Sequence, residues 1–481
     1  MSSKVEKLIR SSITAGARGV ARAANVVRTR ADAHPYLSGI HAPLTAEHTL
    51  ADLPVSGRLP PELDGRYLRI GPNPLVAPNP ATHHWFVGDG MVHGVRLHDG
   101  KAAWYRNRWI RSETVSAALD EPAVPAPAGR DRGVVNTNVI GHAGGTWALV
   151  EAGTAPVLLD DTLGTRRYDD FAGSLAGPYS AHPHRDPMTG ELHAICYRGD
   201  VQDTVWHTVV DAAGRVIREE PIAVADGPCI HDCAITPQYV IVLDLPVTFS
   251  MALLLGGHPF PYRWNPDHPA RVGLLPRAGT AADIRWYAVD PCFVFHPANA
   301  FERADGSVVI DVVAHDRMFD EHYDGPDGSR MSFERWTLAR DARAVARQVI
   351  DDEGQEFPRY DERRTGHAYR YAYCMAAAGT GAGLVTDTRL FRHDLDSGAR
   401  AVHDFGPRRH PGEFVFVPRS ADAAEDDGWL LGLVVDMNDD TTTLSVLDAA
   451  DFGAPPLAEV ALPHRIPPGF HGNWVAADGA D

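Results

Sequence analysis

Short apolar runs alternate with turn residues along most of the chain. Runs such as TWALVEAG, ELHAICYRGD, QYVIVLDLPV and SVVIDVVAH have the length of single strands. Asp-Gly pairs, as in RADGS and DDGW, are typical of two-residue hairpin turns. Segments with the period of an amphipathic helix are scarce, which argues against a helical bundle or a βαβ sheet. The pattern predicts an all-β protein of successive hairpins and favours a propeller, although no repeated motif gives the number of blades.

Two segments depart from this pattern. Residues 1–34 are basic, and four of their apolar side chains recur at helical spacing: Val5, Leu8, Ile9 and Ile13. This leader is either an amphipathic helix or a tail without a fixed fold. Residues 247–264 are strongly apolar and aromatic, which is typical of an exposed contact surface or of a buried crossover. We therefore predict a leader, 1–34, and a single folded domain, 35–481.

Charge and cysteine content narrow the classes of function. The formal net charge of −18 argues against a nucleic-acid partner, because no basic field would attract phosphates. Five scattered cysteines in 481 residues do not form a disulfide framework, which favours a reducing compartment and a cytoplasmic protein. No stretch approaches the roughly 20 apolar residues of a membrane span.

Four histidines lie in similar settings, each at the start or end of an apolar run: His182, His231, His296 and His471. They are too far apart for a local zinc finger or an HExxH site, so only a closed, repetitive fold would bring them together. Neutral imidazoles suit Fe, Zn or Cu and leave the charge of the metal to be balanced by carboxylates. Three glutamates in strand or turn settings are candidates, although spacing alone fits ordinary surface carboxylates better: Glu151, Glu356 and Glu413.

At these residues the sequence resembles the carotenoid cleavage oxygenases. The resemblance extends over roughly residues 35–481 and includes GRYLRIGPNP, FVGDGMVHG, AHPHRDPMTGELH, HDCAIT, FHPANAFE, GEFVFVP and FHGNW. It implies a seven-bladed β-propeller with a dome of loops over an axial non-haem Fe(2+). The four histidines become the iron ligands, and the three glutamates orient three of them, which leaves His182 without one. Thr137 matches a position that crowds a vacant coordination site, and His184 is not expected to be a ligand.

The resemblance also implies an activity. We expect an Fe(2+)-dependent dioxygenase that uses O2 to cleave a C=C bond of a carotenoid or apocarotenoid into two carbonyl products. Cleavage of a stilbene or phenylpropanoid alkene is the alternative substrate class. Hydroxystilbene-cleaving members typically have a lysine before the first glutamate, where this chain has Val150, so an apolar polyene is favoured. A non-catalytic ligand-binding propeller and a metal-dependent hydrolase stay open as other classes of function.

A polyene must leave a membrane to reach the iron. Residues 247–264 and the leader are therefore the candidates for peripheral membrane contact. Five residues beside the family motifs are expected to line the substrate tunnel: Phe86, Trp109, Val150, Phe293 and Phe470.

Overall fold

The computed structural model describes residues 19–21, 23–26, 29–30, 32–328, 330–379 and 381–477. In the first half of the chain its strands are β1 (Thr49–Ala51), β2 (Val55–Gly57), β3 (Gly65–Pro72), β4 (Gly90–His98), β5 (Lys101–Trp109), β6 (Asn138–His142), β7 (Gly145–Leu149), β8 (Val157–Leu159), β9 (Thr165–Tyr168), β10 (His184–Arg185), β11 (Leu192–Arg198), β12 (Val201–Val210), β13 (Val216–Ala223), β14 (Cys233–Ile235), β15 (Tyr239–Asp244) and β16 (Val247–Phe249).

In the second half the strands are β17 (Tyr262–Trp264), β18 (Arg271–Pro276), β19 (Arg285–Ala288), β20 (Phe293–Glu302), β21 (Val308–His315), β22 (Met331–Leu338), β23 (Ala346–Asp351), β24 (Gln355–Arg359), β25 (Tyr371–Ala376), β26 (Arg389–Asp394), β27 (Ala399–Asp404), β28 (Arg409–Pro418), β29 (Gly428–Asp436), β30 (Thr441–Asp448), β31 (Ala458–Leu462) and β32 (Gly472–Ala476). Two short α-helices are named α1 (Glu113–Ala118) and α2 (Met251–Leu255). Residues 19–21 and 23–26 are also helical. Short 3-10 helices occupy Pro35–Leu37, Gly39–His41, Trp85–Val87, Ala281–Asp283, Glu362–Arg364 and Gly381–Gly383.

The strands form seven blades of a β-propeller, which confirms the predicted fold class. Their hydrogen-bonded orders are β1-β5-β4-β3-β32, β6-β7-β8-β9, β10-β11-β12-β13, β14-β15-β18-β19, β20-β21-β22-β23, β24-β25-β26-β27 and β2-β31-β30-β29-β28. The pairings between these strands are antiparallel, as expected when consecutive strands are joined by short turns. One of those turns joins β4 to β5, where Asp99 and Gly100 both have positive φ, as a tight two-residue hairpin turn requires.

The ring is closed by strands from both ends of the chain. β32 pairs with β3, with Gly472 opposite Arg69, and β2 pairs with β31. Two blades thus combine early and late strands, and these pairings close the ring. Apolar side chains fill the space between blades, and the largest of those that are fully buried include Trp336 and Trp429.

The innermost strand of each blade faces the axis of the propeller. These strands are β32, β6, β10, β14, β20, β24 and β28, each at one end of its sheet. Neighbouring members contact one another, as β14 and β20 or β28 and β32 do. We call the loops that line a large cavity beside this ring the dome; they include residues 85–87, 129–134, 197–202 and 249–262.

The apolar segment 247–264 belongs to the dome. It forms a small hairpin of β16 and β17 with α2 at its tip, where Met251 and Leu255 are 44% and 41% exposed. No helix in the described ranges is long and apolar enough to cross a bilayer.

Part of the predicted leader contacts the dome. Asn25 donates a hydrogen bond to the carbonyl of Gly257, and Arg30 pairs with Asp324 at 2.6 Å. The four apolar residues that predicted an amphipathic helix, Val5, Leu8, Ile9 and Ile13, lie outside the described residues.

Candidate metal centre and its two cavities

Each of the seven inner strands brings one polar side chain of the candidate site to the axis. Four of these residues precede their strands by one or two positions: Thr137, His182, His231 and His471. The other three lie within their strands: His296, Glu356 and Glu413. Because the inner strands converge on the axis, residues far apart in sequence meet there. One ligand atom from each of the four histidines lies within 4.8 Å of those of the others.

Three of the four imidazoles are held by a glutamate. Nδ1 of His296 donates to Glu356 at 2.7 Å, and Nδ1 of His471 donates to Glu413 at 3.0 Å. Nδ1 of His231 donates to Glu151, which follows β7. An ionised carboxylate only accepts hydrogen bonds, so the proton of each neutral ring resides on Nδ1 and the Nε2 lone pair is free.

The free Nε2 atoms fit a metal ion. Those of His231 and His296 are 3.2 Å apart. Two imidazole nitrogens that bind one divalent metal at about 2.1 Å, at a right angle, would be about 3.0 Å apart. Nε2 of His182 is buried and has no hydrogen-bond partner, as expected of a ligand atom. Burial and the neighbouring histidines also lower the pKa of His182, which favours the neutral form that binds metals.

The glutamates supply negative charge around the site. Burial opposes their ionisation, but their basic partners outweigh it and lower the pKa of Glu151, Glu356 and Glu413, the last to about 2. Each is therefore ionised at neutral pH, and together they can offset the charge of a bound divalent cation.

A further layer of side chains fixes each glutamate, and the sequence alone had not identified it. Tyr197 donates to Glu151, Nε2 of His315 donates to Glu356 at 2.7 Å, and Arg359 donates to Glu413 at 3.1 Å. Only Arg359 had a visible signal, since it lies in the EFPR segment beside Glu356. The three carboxylates therefore have a phenol, an imidazole and a guanidinium as their outer partners.

One cavity beside the histidines, which we call the dome cavity, has a volume of about 950 Å3. His231, His296 and His471 lie in its wall, together with Thr137, whose backbone carbonyl accepts from the N–H of His471 at 3.2 Å. Most of the remaining wall is apolar or aromatic, and it includes Phe249, Phe260, Tyr262, Phe295, Phe357 and Leu384. A cavity of this kind suits a long apolar ligand.

Three of the five residues expected in the substrate tunnel line the dome cavity: Phe86, Val150 and Phe470. The prediction was wrong for the other two. Trp109, at the end of β5, is buried, and its indole N–H donates to the carbonyl of Asn73 at 2.8 Å. Phe293 is fully buried against Phe295, which takes the place in the wall that was expected for Phe293.

The axial cavity, about 450 Å3, approaches the histidines from the opposite side along the propeller axis. Its wall is more polar and includes His182, His184 and Asp232. His184 is not one of the four clustered histidines. Its Nε2 donates to Asp232 at 2.7 Å. All five cysteines are buried free thiols; Cys229 lies 3.5 Å from Glu151, and Cys233 lies in β14.

Comparisons with known proteins agree with this architecture. The family model described as "Retinal pigment epithelial membrane protein" matches residues 41–476. A carotenoid cleavage oxygenase of Mycobacterium tuberculosis is 44% identical over 490 aligned residues, which cover 92% of this chain and 97% of the relative.

Solved structures share the fold over nearly the whole chain. The cobalt-substituted Synechocystis ACO, an apocarotenoid oxygenase, has a TM-score of 0.81 at 29% identity and covers 90% of this chain and 97% of its own. The lignostilbene dioxygenase of Pseudomonas brassicacearum has a TM-score of 0.83 at 27% identity, with coverage of 94% and 100%.

Proposed function

Because the chain belongs to the carotenoid cleavage oxygenase family, we propose that it is an Fe(II)-dependent dioxygenase that cleaves one C=C bond of a carotenoid or apocarotenoid. The products are two carbonyl compounds, each of which carries one atom of O2. The observation that supports this best is the four-histidine cluster at the wall of a large aromatic cavity. The four histidines would hold the iron, and the chemistry that iron supplies there is the activation of O2.

The protein residues position the alkene and keep water away from it. Phe86, Phe295 and Phe470 present aromatic surface next to the histidines, which favours an extended apolar chain over water. Glu151, Glu356 and Glu413 hold three imidazoles with Nε2 toward the centre. Thr137, at the cavity wall, limits the room beside His471. No side chain has to act as a general base in this reaction.

One position in the wall of the dome cavity favours a polyene over a phenol as substrate. Val150 lies in its wall, directly before Glu151, and carries no charge that could bind a phenolate. The similarity to a lignostilbene dioxygenase keeps a stilbene-like alkene as the second candidate.

The test is product analysis after aerobic incubation of iron-loaded protein with equimolar apocarotenal and hydroxystilbene. We expect shortened polyene carbonyls, and their masses locate the cleaved bond. Hydroxybenzaldehydes alone would reverse the order of the two substrates. His296→Ala is expected to lose bound iron and cleavage together, and a variant that kept both would contradict the ligand assignment.

We also propose that the protein is cytoplasmic and takes its substrate from a membrane surface through the tip of the 247–264 hairpin. Met251 and Leu254 line the dome cavity, while Met251 and Leu255 are exposed beside it. Replacing Met251 and Leu255 together by Glu should reduce co-sedimentation with phosphatidylcholine vesicles. Met188→Glu is the control, because Met188 is 81% exposed but lies in the β10–β11 turn, beside the axial cavity. If both changes reduced vesicle co-sedimentation equally, the tip of the 247–264 hairpin would not be a specific docking site.

A further inference from the structure

One histidine of the cluster differs from the other three in its surroundings. His231, His296 and His471 each donate Nδ1–H to a glutamate, whereas His182 has none. The carboxylate that faces Nδ1 of His182 belongs to Asp232, whose Oδ2 is 3.7 Å away. This distance is too long for a direct hydrogen bond but close enough for charge to act on the ring.

The carboxylate of Asp232 is fixed in its orientation. Its Oδ1 accepts from Nε2 of His184 at 2.7 Å and from the backbone N–H of Cys233 at 2.6 Å. Both donors bind the same oxygen, so Oδ2 is the atom left to face His182. The side chain of Asp232 is only 5% exposed, so the charge acts in a poorly solvated place.

The position of Asp232 in the chain explains this geometry. Asp232 directly follows His231, just before β14, and His182 and His184 flank Pro183 at the start of β10. β10 and β14 are the inner strands of consecutive blades and contact each other. The Asp232–His184 hydrogen bond thus ties these two strands together on the axial side of the cluster.

We propose that Asp232, tethered by His184, is the positioning carboxylate of His182 and completes a set of four carboxylates around the metal site. It differs from the three glutamates because it acts across a longer gap and is shared between two imidazoles. This role rests on the proposed metal site. It makes His182 the least tightly held of the four ligands, and it gives His184 an indirect function although His184 is not in the cluster.

Asp232→Asn tests the charge with little change of shape. The amide oxygen can still accept from His184 and Cys233, so the local fold should persist, but the anion that faces His182 is lost. We expect the Co2+ affinity, measured by chelator competition, to fall by about tenfold, the lower end of the range known for outer-shell partners of metal ligands. The visible absorption spectrum of the Co2+ form should also change. If Asp232 only supported the local fold and the coordination of Co2+ stayed the same, the spectrum would not change.

Asp186→Asn is the matched control. Asp186 also lines the axial cavity, is as buried as Asp232, and is paired with Arg277 at 2.6 Å, yet it contacts none of the four histidines. Its Asn variant should bind Co2+ with the wild-type affinity and spectrum. Equal weakening by both variants would mean that only the general charge of the cavity matters, and it would overturn the proposal.

His184→Leu provides a second and independent variant, which keeps the proposal testable if Asp232→Asn does not fold. Loss of the tether should weaken Co2+ binding, and the double variant should be no weaker than Asp232→Asn alone, because both changes remove one function. Wild-type affinity in both single variants would refute the role of Asp232. Absence of metal binding by the wild-type protein would instead refute the proposed metal site itself.

Discussion

At the scale of single residues, Nδ1 of a clustered histidine is as important for the geometry of the site as the Nε2 that faces the centre. Glu356 illustrates this, because one of its oxygens accepts from His296 and the other from His315. The carboxylate therefore fixes the proton of His296 on Nδ1 and is itself held by a second buried ring. Such a chain of contacts leaves the ligand few alternative orientations.

Glu356→Gln should separate this positioning effect from the ligands themselves. The amide retains one acceptor oxygen but no charge, so we expect metal affinity to fall by about 10- to 100-fold while the fold is retained. Metal affinity by chelator competition is the measurement. Glu353→Gln is the control, because Glu353 pairs with Arg389 and Arg400 at the surface. If Glu353→Gln lowered the affinity as much, the effect could not be assigned to the contact with His296.

The sequence supported the choice of the four histidines better than that of their partners. Each histidine lies at the start or end of an apolar run and within a family motif, so the sequence alone identified it as a candidate ligand. Its role as a ligand stays a prediction. The contact between His315 and Glu356 joins residues 41 positions apart on strands of neighbouring blades. Such a contact depends on strand register and blade packing, which a run of apolar residues does not specify. Trp109 and Phe293 were misplaced for the same reason.

At the scale of elements, apolar runs and turn residues predicted the strands well, because each blade is a series of antiparallel hairpins. The number of blades did not follow from periodicity. The inner strands vary from two residues in β10 to ten in β20, and the β16–β17 hairpin interrupts one blade. Because of these irregularities, the blades do not repeat at a fixed spacing along the sequence.

Gly90 shows how closely two elements approach each other. A Cβ at Gly90, the first residue of β4, would lie 1.8 Å from the backbone oxygen of Val135. Gly90→Ala should therefore lower the free energy of unfolding by about 1–3 kcal/mol or more, since backbone atoms must move. Thermal denaturation measures the effect. Gly453→Ala, where nothing lies within 4 Å, should change it by less than about 0.5 kcal/mol, and equal losses would contradict the steric cause.

His268 links separate parts of one blade through contacts with two carboxylates. It lies between β17 and β18 and contacts Asp244 of β15 at 2.8 Å and Asp226 at 3.1 Å. Burial acts to lower the pKa of His268, but the two carboxylates outweigh it and raise that pKa above 6.5. Its stabilising contribution is therefore complete below about pH 6.5 and is lost as the pH rises through the raised pKa.

His268→Gln should consequently lower the melting temperature more at about pH 6 than at about pH 8.5, with a loss of about 1–3 kcal/mol at the lower pH. His98→Gln is the control, because His98 pairs with Asp64 at the surface, where such pairs contribute little. A larger loss at the higher pH would show that the sign of the linkage is wrong.

At the scale of the whole molecule, the site depends on closure of the ring. The seven polar side chains meet only if all seven inner strands are in place, and the last of these, β32, is held by β3 from the start of the chain. β32 follows His471 directly, so the seam of the propeller and the metal site share one strand. A weak seam would therefore affect stability and metal binding together.

Val475→Pro tests this coupling. Val475 is buried in β32 opposite Arg66, and proline removes a backbone donor from the middle of the closing strand, at a cost of about 3 kcal/mol or more. We expect a lower melting temperature together with weaker metal binding. Val349→Pro is the control, since Val349 is 54% exposed on β23, the outer edge of its blade, where proline is better tolerated. Metal binding should survive in that variant. If Val475→Pro lost stability but kept its metal affinity, the histidines would be held together by the blades alone, and closure at β32 would matter only for the fold.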